Sequence, residues 1–143
     1  MDILNTFKIS ASALKAHSIR LNTISSNLAN VETTSTPEGG PYKKKSTYFE
    51  TKPLSFKEQL DHNVRNSVRG VEVTKIVEDQ RPPRKVYNPS HPDAQEDGYV
   101  EMPNINVMEE MVDMMSATRS YEANATSIKM AKRMALKALD IGK

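Results

Sequence analysis

The sequence predicts a mainly α protein, in which long N- and C-terminal helices pair as an antiparallel coiled coil around a small, irregular, β-containing middle region. Apolar residues crowd the ends: 15 fall in 1–31 and 20 in 105–141, whereas the 73 residues 32–104 hold 18. All eight prolines and four of the five glycines lie between 37 and 103, so the ends can run as uninterrupted helices and the middle cannot. Both ends also repeat their apolar residues at helical spacing. The expected organisation is a helix over 1–34, a loop and small β region over 35–104, and a helix over 105–143, with the two ends forming one helical core domain.

In the first element Phe7, Leu14, Leu21 and Leu28 stand seven residues apart, with Ile3, Ser10, His17, Ile24 and Val31 interleaved. That 4-3-4-3 spacing is a coiled-coil seam, in which His17 is a polar residue that helps to set register. The stretch Leu21 to Thr36 is rich in Asn, Ser and Thr, mediocre helix formers, so its helicity depends on packing.

In the middle, Gly70 to Val77 alternates as a strand, and Asp97-Gly98 forms a turn entering a second strand over Tyr99–Met102. Pro82-Pro83 and Asn88 to Asp93 favour extended or turn backbone, and Lys43 to Arg69 has too few apolar residues to assign any element, so it is read as loop. Pro37-Glu38-Gly39-Gly40-Pro41 is a turn: it has neither the Lys-Ser/Thr nor the βαβ setting of a phosphate-binding loop.

The last element opens with Asn106 as N-cap and Glu109 three residues on. One stripe runs Val107, Met111, Met114, Thr118, Tyr121, Ala125, Ile128, Lys132, Ala135 and Leu139. A second, beside it, is Met108, Val112, Met115, Ala131, Met134, Ala138 and Ile141. At 1.5 Å per residue the two helices would reach roughly 45 and 54 Å, too long for the core of a 16 kDa globule. They are built to pair with each other and with other chains. Six of the eight methionines lie in 108–134, either as core filling or as adaptable packing against non-identical neighbours.

Composition excludes several function classes. There are no cysteines, hence no disulfide scaffold, thiol nucleophile or cysteine-ligated metal. His17, His62 and His91 sit on separate segments with no paired carboxylates at ligand spacing, so neither a metal, a cofactor nor an enzyme site is expected. A net charge of +2 and the short run Lys43-Lys44-Lys45, a solvated loop, do not make a nucleic-acid surface, and no small-molecule substrate is indicated. No eighteen-residue apolar run and no basic, then apolar, leader opens the chain, so stable membrane insertion and a cleaved signal are not expected. The basic amphipathic stretch Lys129 to Lys137 fits a protein partner or an anionic membrane surface.

Ile24-Ser25-Ser26-Asn27-Leu28-Ala29-Asn30-Val31, followed by Thr33-Thr34, resembles the N-terminal signature of bacterial flagellar rod and hook axial proteins. Thr36 to Tyr42, Gly98 to Asn104, Ser120 to Asn124 and Lys137 to Lys143 are similar to the proximal-rod branch of that family. Ala13-Leu14 stands where Gly-Leu is frequent, Ser35 stands where Arg is, and Ser46 to Arg69 carries no resemblance.

The resemblance implies a structural subunit of the flagellar basal-body rod. Such a subunit is exported by the flagellar type III apparatus without a cleaved signal, assembles helically in the periplasm, and helps to transmit torque from motor to hook. Its implied partners are copies of itself, other rod proteins, the rod-base adaptor FliE and the export apparatus. The alternatives are a distal-rod relative or a membrane-surface amphipathic-helix protein. The candidate assembly residues are Phe7, Leu14, Leu21, Ile24, Asn27, Leu28, Asn30 and Val31 in the first helix, with Met111, Met114, Tyr121, Asn124, Ala125, Ile128, Ala135 and Leu139 in the second.

Overall fold

The computed structural model describes residues 3–51 and 69–141. Its elements, in order, are α1 (Ile3–Ala29), β1 (Lys45–Thr51), β2 (Val71–Glu78), β3 (Arg84–Tyr87), β4 (Tyr99–Met102) and α2 (Val107–Ile141). Both helices are free of Pro and Gly throughout their length, and at 27 and 35 residues they rise roughly 40 and 52 Å. They pack antiparallel: Asn27, near the end of α1, meets Glu110 in the first turn of α2, and Arg20 meets Asp113.

Two antiparallel strand pairs make up the middle. Strand β2 lies where alternation placed it. Its partner β1 falls within the stretch expected to be loop, which corrects that expectation: Lys45 to Thr51 pair with Glu78 to Val71, with a bulge between Tyr48 and Phe49. Polar-rich strands of this kind carry little apolar signal, because β1 is fixed by its partner and by α1 rather than by a buried face of its own. The remainder of the presumed loop, 52–68, lies outside the described residues. The second pair joins β4, entered through Gly98 at φ +76°, to β3, a strand that Pro82-Pro83 had indicated only as extended chain.

Helix α1 is the central element, since α2 packs on it from one side and the β1–β2 hairpin from another. The hairpin approaches closely at Gly70, where an added Cβ would overlap the Ser12 hydroxyl. That hydroxyl accepts the Val71 N–H at 3.0 Å and donates to the Ile9 carbonyl at 2.7 Å. Small side chains allow the close packing: Ser10, Ala16 and Thr23 on α1 and Ala117 and Ala131 on α2 are buried, and Ala16 lines a cleft with Val71 to Val73 of β2.

The face that α2 turns inward therefore centres on Glu110, Ala117 and Ala131. The first stripe read from periodicity is divided by the fold: Met114, Ala125, Ile128 and Ala135 are half-buried, Val107, Met111, Thr118, Tyr121, Lys132 and Leu139 are exposed, and Ala131 of the second stripe is buried. Hydrophobicity alone does not single out the inward face, because small residues permit close approach and the first contact at this end is polar, while five of the six methionines of α2 are exposed.

Candidate functional site

Where α1 ends and α2 begins, the sequence builds a buried polar junction. Asn27 and Glu110 are each 1% exposed. The Asn27 amide donates to the Lys45 carbonyl at 2.8 Å and to Glu110 Oε2 at 2.9 Å. Its oxygen accepts the Lys45 N–H at 2.9 Å and the Tyr42 hydroxyl at 3.2 Å. One side chain thus joins both helices and the first strand, and all of its hydrogen-bonding capacity is used. Lys44 Nζ stands 2.6 Å from Glu110 Oε1, an ion pair without hydrogen-bond alignment that balances the buried carboxylate. The N-terminal end of α2, capped by Asn106 accepting the Met108 N–H at 3.1 Å, adds a favourable partial positive charge.

Asn30 closes α1. Its amide donates to the Ser26 carbonyl at 2.8 Å and its oxygen accepts the Thr33 hydroxyl at 3.2 Å. The chain then turns through Thr36, whose N–H and hydroxyl both reach the Gly40 carbonyl, and returns with the Tyr42 N–H on the Thr33 carbonyl. Asn27 and Asn30 are thus structural within the subunit, and the turn between them and β1 brings Tyr42, Lys44 and Lys45 onto the junction. Lysines read as a solvated run are split by the fold: Lys44 is largely buried and Lys43 remains exposed.

A third contact lies midway along α1. The His17 ring sits 5.7 Å from the Phe49 ring of β1, and its Nδ1 is buried without a hydrogen-bond partner. Burial, and secondarily the Arg20 guanidinium, hold its pKa below the ordinary value of 6.5. His91 accepts the Asp93 N–H in the β3–β4 loop, and His62 lies outside the described residues.

Among the candidate assembly residues, Ile24 and Asn27 are buried, while Phe7, Leu14, Leu21, Leu28, Asn30 and Val31 are half-buried. On α2, Met114, Asn124, Ala125, Ile128 and Ala135 are half-buried, whereas Met111, Tyr121 and Leu139 are exposed. Leu28, Met111, Met114, Met115, Thr118 and Arg119 line an open groove of about 390 Å³ between the helices. Beside it Met108, Val112 and Met115 are exposed by 70%, 59% and 56%, so the first three turns of α2 present an apolar surface that the described residues do not cover. Glu110 and Lys44 were missed by sequence reasoning. A carboxylate in the first turn of a helix is a weak signal, and Lys44 gives none until β1 is placed.

No helix among the described residues is long and apolar enough to cross a membrane. Two families match the chain: Flagella basal body rod protein over residues 7–35, and Flagellar basal body rod FlgEFG protein C-terminal over 96–141. The chain is 43% identical to flagellar basal-body rod protein FlgC of Bacillus subtilis over 150 residues, covering all of both chains. It is 43% identical to FlgC of Salmonella typhimurium over 142 residues, with 99% of each chain covered. To FlgC of Borreliella burgdorferi it is 38% identical over 152 residues, covering 99% of this chain and 98% of the relative.

Proposed function

The chain belongs to the FlgC family of flagellar basal-body rod proteins, and from that premise we propose that it is a proximal-rod subunit whose α1 and α2 enter a coiled-coil packing with neighbouring subunits. It is a structural, non-enzymatic protein of the flagellar basal body, and it assembles with other rod components. The observation that carries the finer reading is the uncovered apolar face of α2 at Met108, Met111, Val112 and Met115, next to the Leu28 groove. Four large side chains left in water at helical spacing stabilise the subunit little, and burying them in an assembly is favourable by about 25 cal/mol per Å².

In this reading residues 1–34 and 105–143 form the helical core domain and 35–104 the β region that braces it. The half-buried and exposed positions among the candidate residues make contacts between subunits, while Asn27 and Asn30 hold the helices in the shape that presents them. The flexible thioethers suit neighbours of unequal shape, which include other rod proteins and the rod-base adaptor FliE. Export through the flagellar type III apparatus without a cleaved signal, assembly in the periplasm and a share in torque transmission complete the proposal.

The test is the position of the protein in detergent-washed hook and basal-body particles, located by a tag or antibody along the axis. A signal between the membrane base and the distal rod supports the reading. Presence only in the distal part, or absence from washed particles, overturns it.

A further inference from the structure

The chain holds eight methionines and no cysteine, so thioethers are its only sulfur. Six of the eight lie on α2, and the fold divides them. Met108, Met111 and Met115 are exposed by 70, 48 and 56%, and Met130 and Met134 by 59 and 58%. Met114, like Met102 of β4, is half-buried. Spacings of three and four residues put Met108, Met111 and Met115 on one face over the first three turns, away from the side on which Glu110 and Ala117 are buried. Met111 and Met115 also line the open groove beside Leu28.

Without cysteine, a thioether is the group in this chain that a mild two-electron oxidant attacks first. With hydrogen peroxide the sulfur lone pair attacks one peroxide oxygen. An S–O bond forms, the O–O bond breaks, and the sulfur gives up two electrons. The proton on the transferred oxygen passes to the departing hydroxide, which leaves as water. The product, methionine sulfoxide, is polar where the thioether was apolar. On a side chain that already faces water, that change leaves the fold of the subunit almost untouched. On a face that must be dried for neighbours to pack against it, each sulfoxide adds an oxygen that needs a hydrogen-bond partner.

We propose that Met108, Met111 and Met115 form an oxidation site on the free subunit, at which a peroxide converts thioethers to sulfoxides and bars the folded chain from assembly. The inference rests on the rod-subunit reading, which places this face against neighbouring subunits, and it adds a chemical condition to that contact. The face is competent while its sulfurs are reduced. Once covered, the same sulfurs are screened from oxidant. Damage is thereby confined to chains not yet incorporated. Met130 and Met134, roughly 22 Å further along α2, share the exposure and the reactivity but lie away from the groove.

The first arm of the test treats the purified full chain with hydrogen peroxide and follows each methionine by mass spectrometry. Met108, Met111 and Met115 should gain one oxygen several-fold faster than Met102 and Met114, and the oxidised chain should keep its circular dichroism spectrum and urea midpoint. Equal rates at all five positions, or an oxidised chain that unfolds, would overturn the proposal. The second arm replaces the protein in cells by two triple variants. Met108→Gln with Met111→Gln and Met115→Gln, a polar stand-in for the sulfoxides, should be exported and yet lower the yield of basal bodies about tenfold or more. Met108→Leu with Met111→Leu and Met115→Leu, apolar and inert to peroxide, should assemble as wild type does. A peroxide pulse during rod assembly should then reduce the yield in wild-type cells and spare the Leu variant. Normal assembly of the Gln variant sinks the proposal, as does a Leu variant that fails like the Gln one or an equal loss in both strains after the pulse. Wild-type protein in washed basal-body particles judges the rod reading separately. Protein present there while the Gln variant assembles refutes the oxidation site alone, and protein absent there refutes rod membership and, with it, the block to assembly.

Discussion

Asn27 and Glu110, 83 positions apart in the chain, meet at 2.9 Å in a site that water does not reach. The amide holds the carboxylate on one side and the Lys45 backbone on the other, so the pairing of the helices and the docking of β1 depend on one side chain.

Replacing Asn27 with Ala should therefore strip partners from three elements together. Leaving buried donors and acceptors unpaired is expected to cost about 2–4 kcal/mol, read as a lower urea midpoint for the purified chain. Asn27→Asp should be at least as damaging, since it sets a second carboxylate against Glu110. A near-wild-type midpoint in either variant would show that the junction does not govern stability.

Lys44 and Glu110 should behave as a coupled pair. Lys44→Met leaves the carboxylate buried without its counter-charge, at a cost of about 3–5 kcal/mol. Adding Glu110→Gln removes the charge while keeping an acceptor for Asn27, and should recover a large part of that loss. A double-mutant cycle should return a coupling of about 1–3 kcal/mol, and strict additivity would refute the pairing.

The half-buried His17 ring, with its Nδ1 enclosed, makes stability depend on pH in a defined direction. In the unfolded chain the ring takes up a proton as pH falls through about 6.5, whereas the folded state resists protonation because burial and Arg20 lower the pKa. The unfolded state then binds more protons, so stability is full above pH 6.5 and declines below it until the folded ring also protonates. His17→Phe should flatten the melting-temperature profile in that window. An unchanged slope would assign the acid sensitivity to another group.

Leu28 separates folding from assembly, because it lines the open groove instead of the closed junction. Leu28→Asp should cost the isolated chain about 1 kcal/mol and yet abolish rod formation, giving exported protein, no completed basal bodies and no motility. Normal swimming in that strain would remove Leu28 from the contact surface.

Much of this architecture is legible in the sequence, because long helices and their breaks follow from where Pro, Gly and apolar residues fall. The turn at Gly98 and the strand after Gly70 are equally local. What sequence patterns did not disclose depends on tertiary partners. Strand β1 is held by β2 and by Asn27, and it has no strong alternation of its own. The inward face of α2 is made by Ala117, Ala131 and Glu110, residues that a hydrophobicity count scores low or negative, so the two apolar stripes read from periodicity did not single it out. Asn27 was recognised as part of a motif, but its role became visible only with Lys45 and Glu110 beside it.

The junction also sets a timetable for folding. Its parts come from positions 27, 44 and 110, so its closing contacts have high sequence separation and carry the loop-closure cost of non-local pairing. A chain delivered N-terminus first, whether by a ribosome or through a narrow conduit, cannot complete the junction until more than three quarters of its length has emerged. Until then α1 has its polar residues but not the carboxylate that satisfies Asn27, and premature closure is disfavoured by the placement of Glu110 late in the sequence.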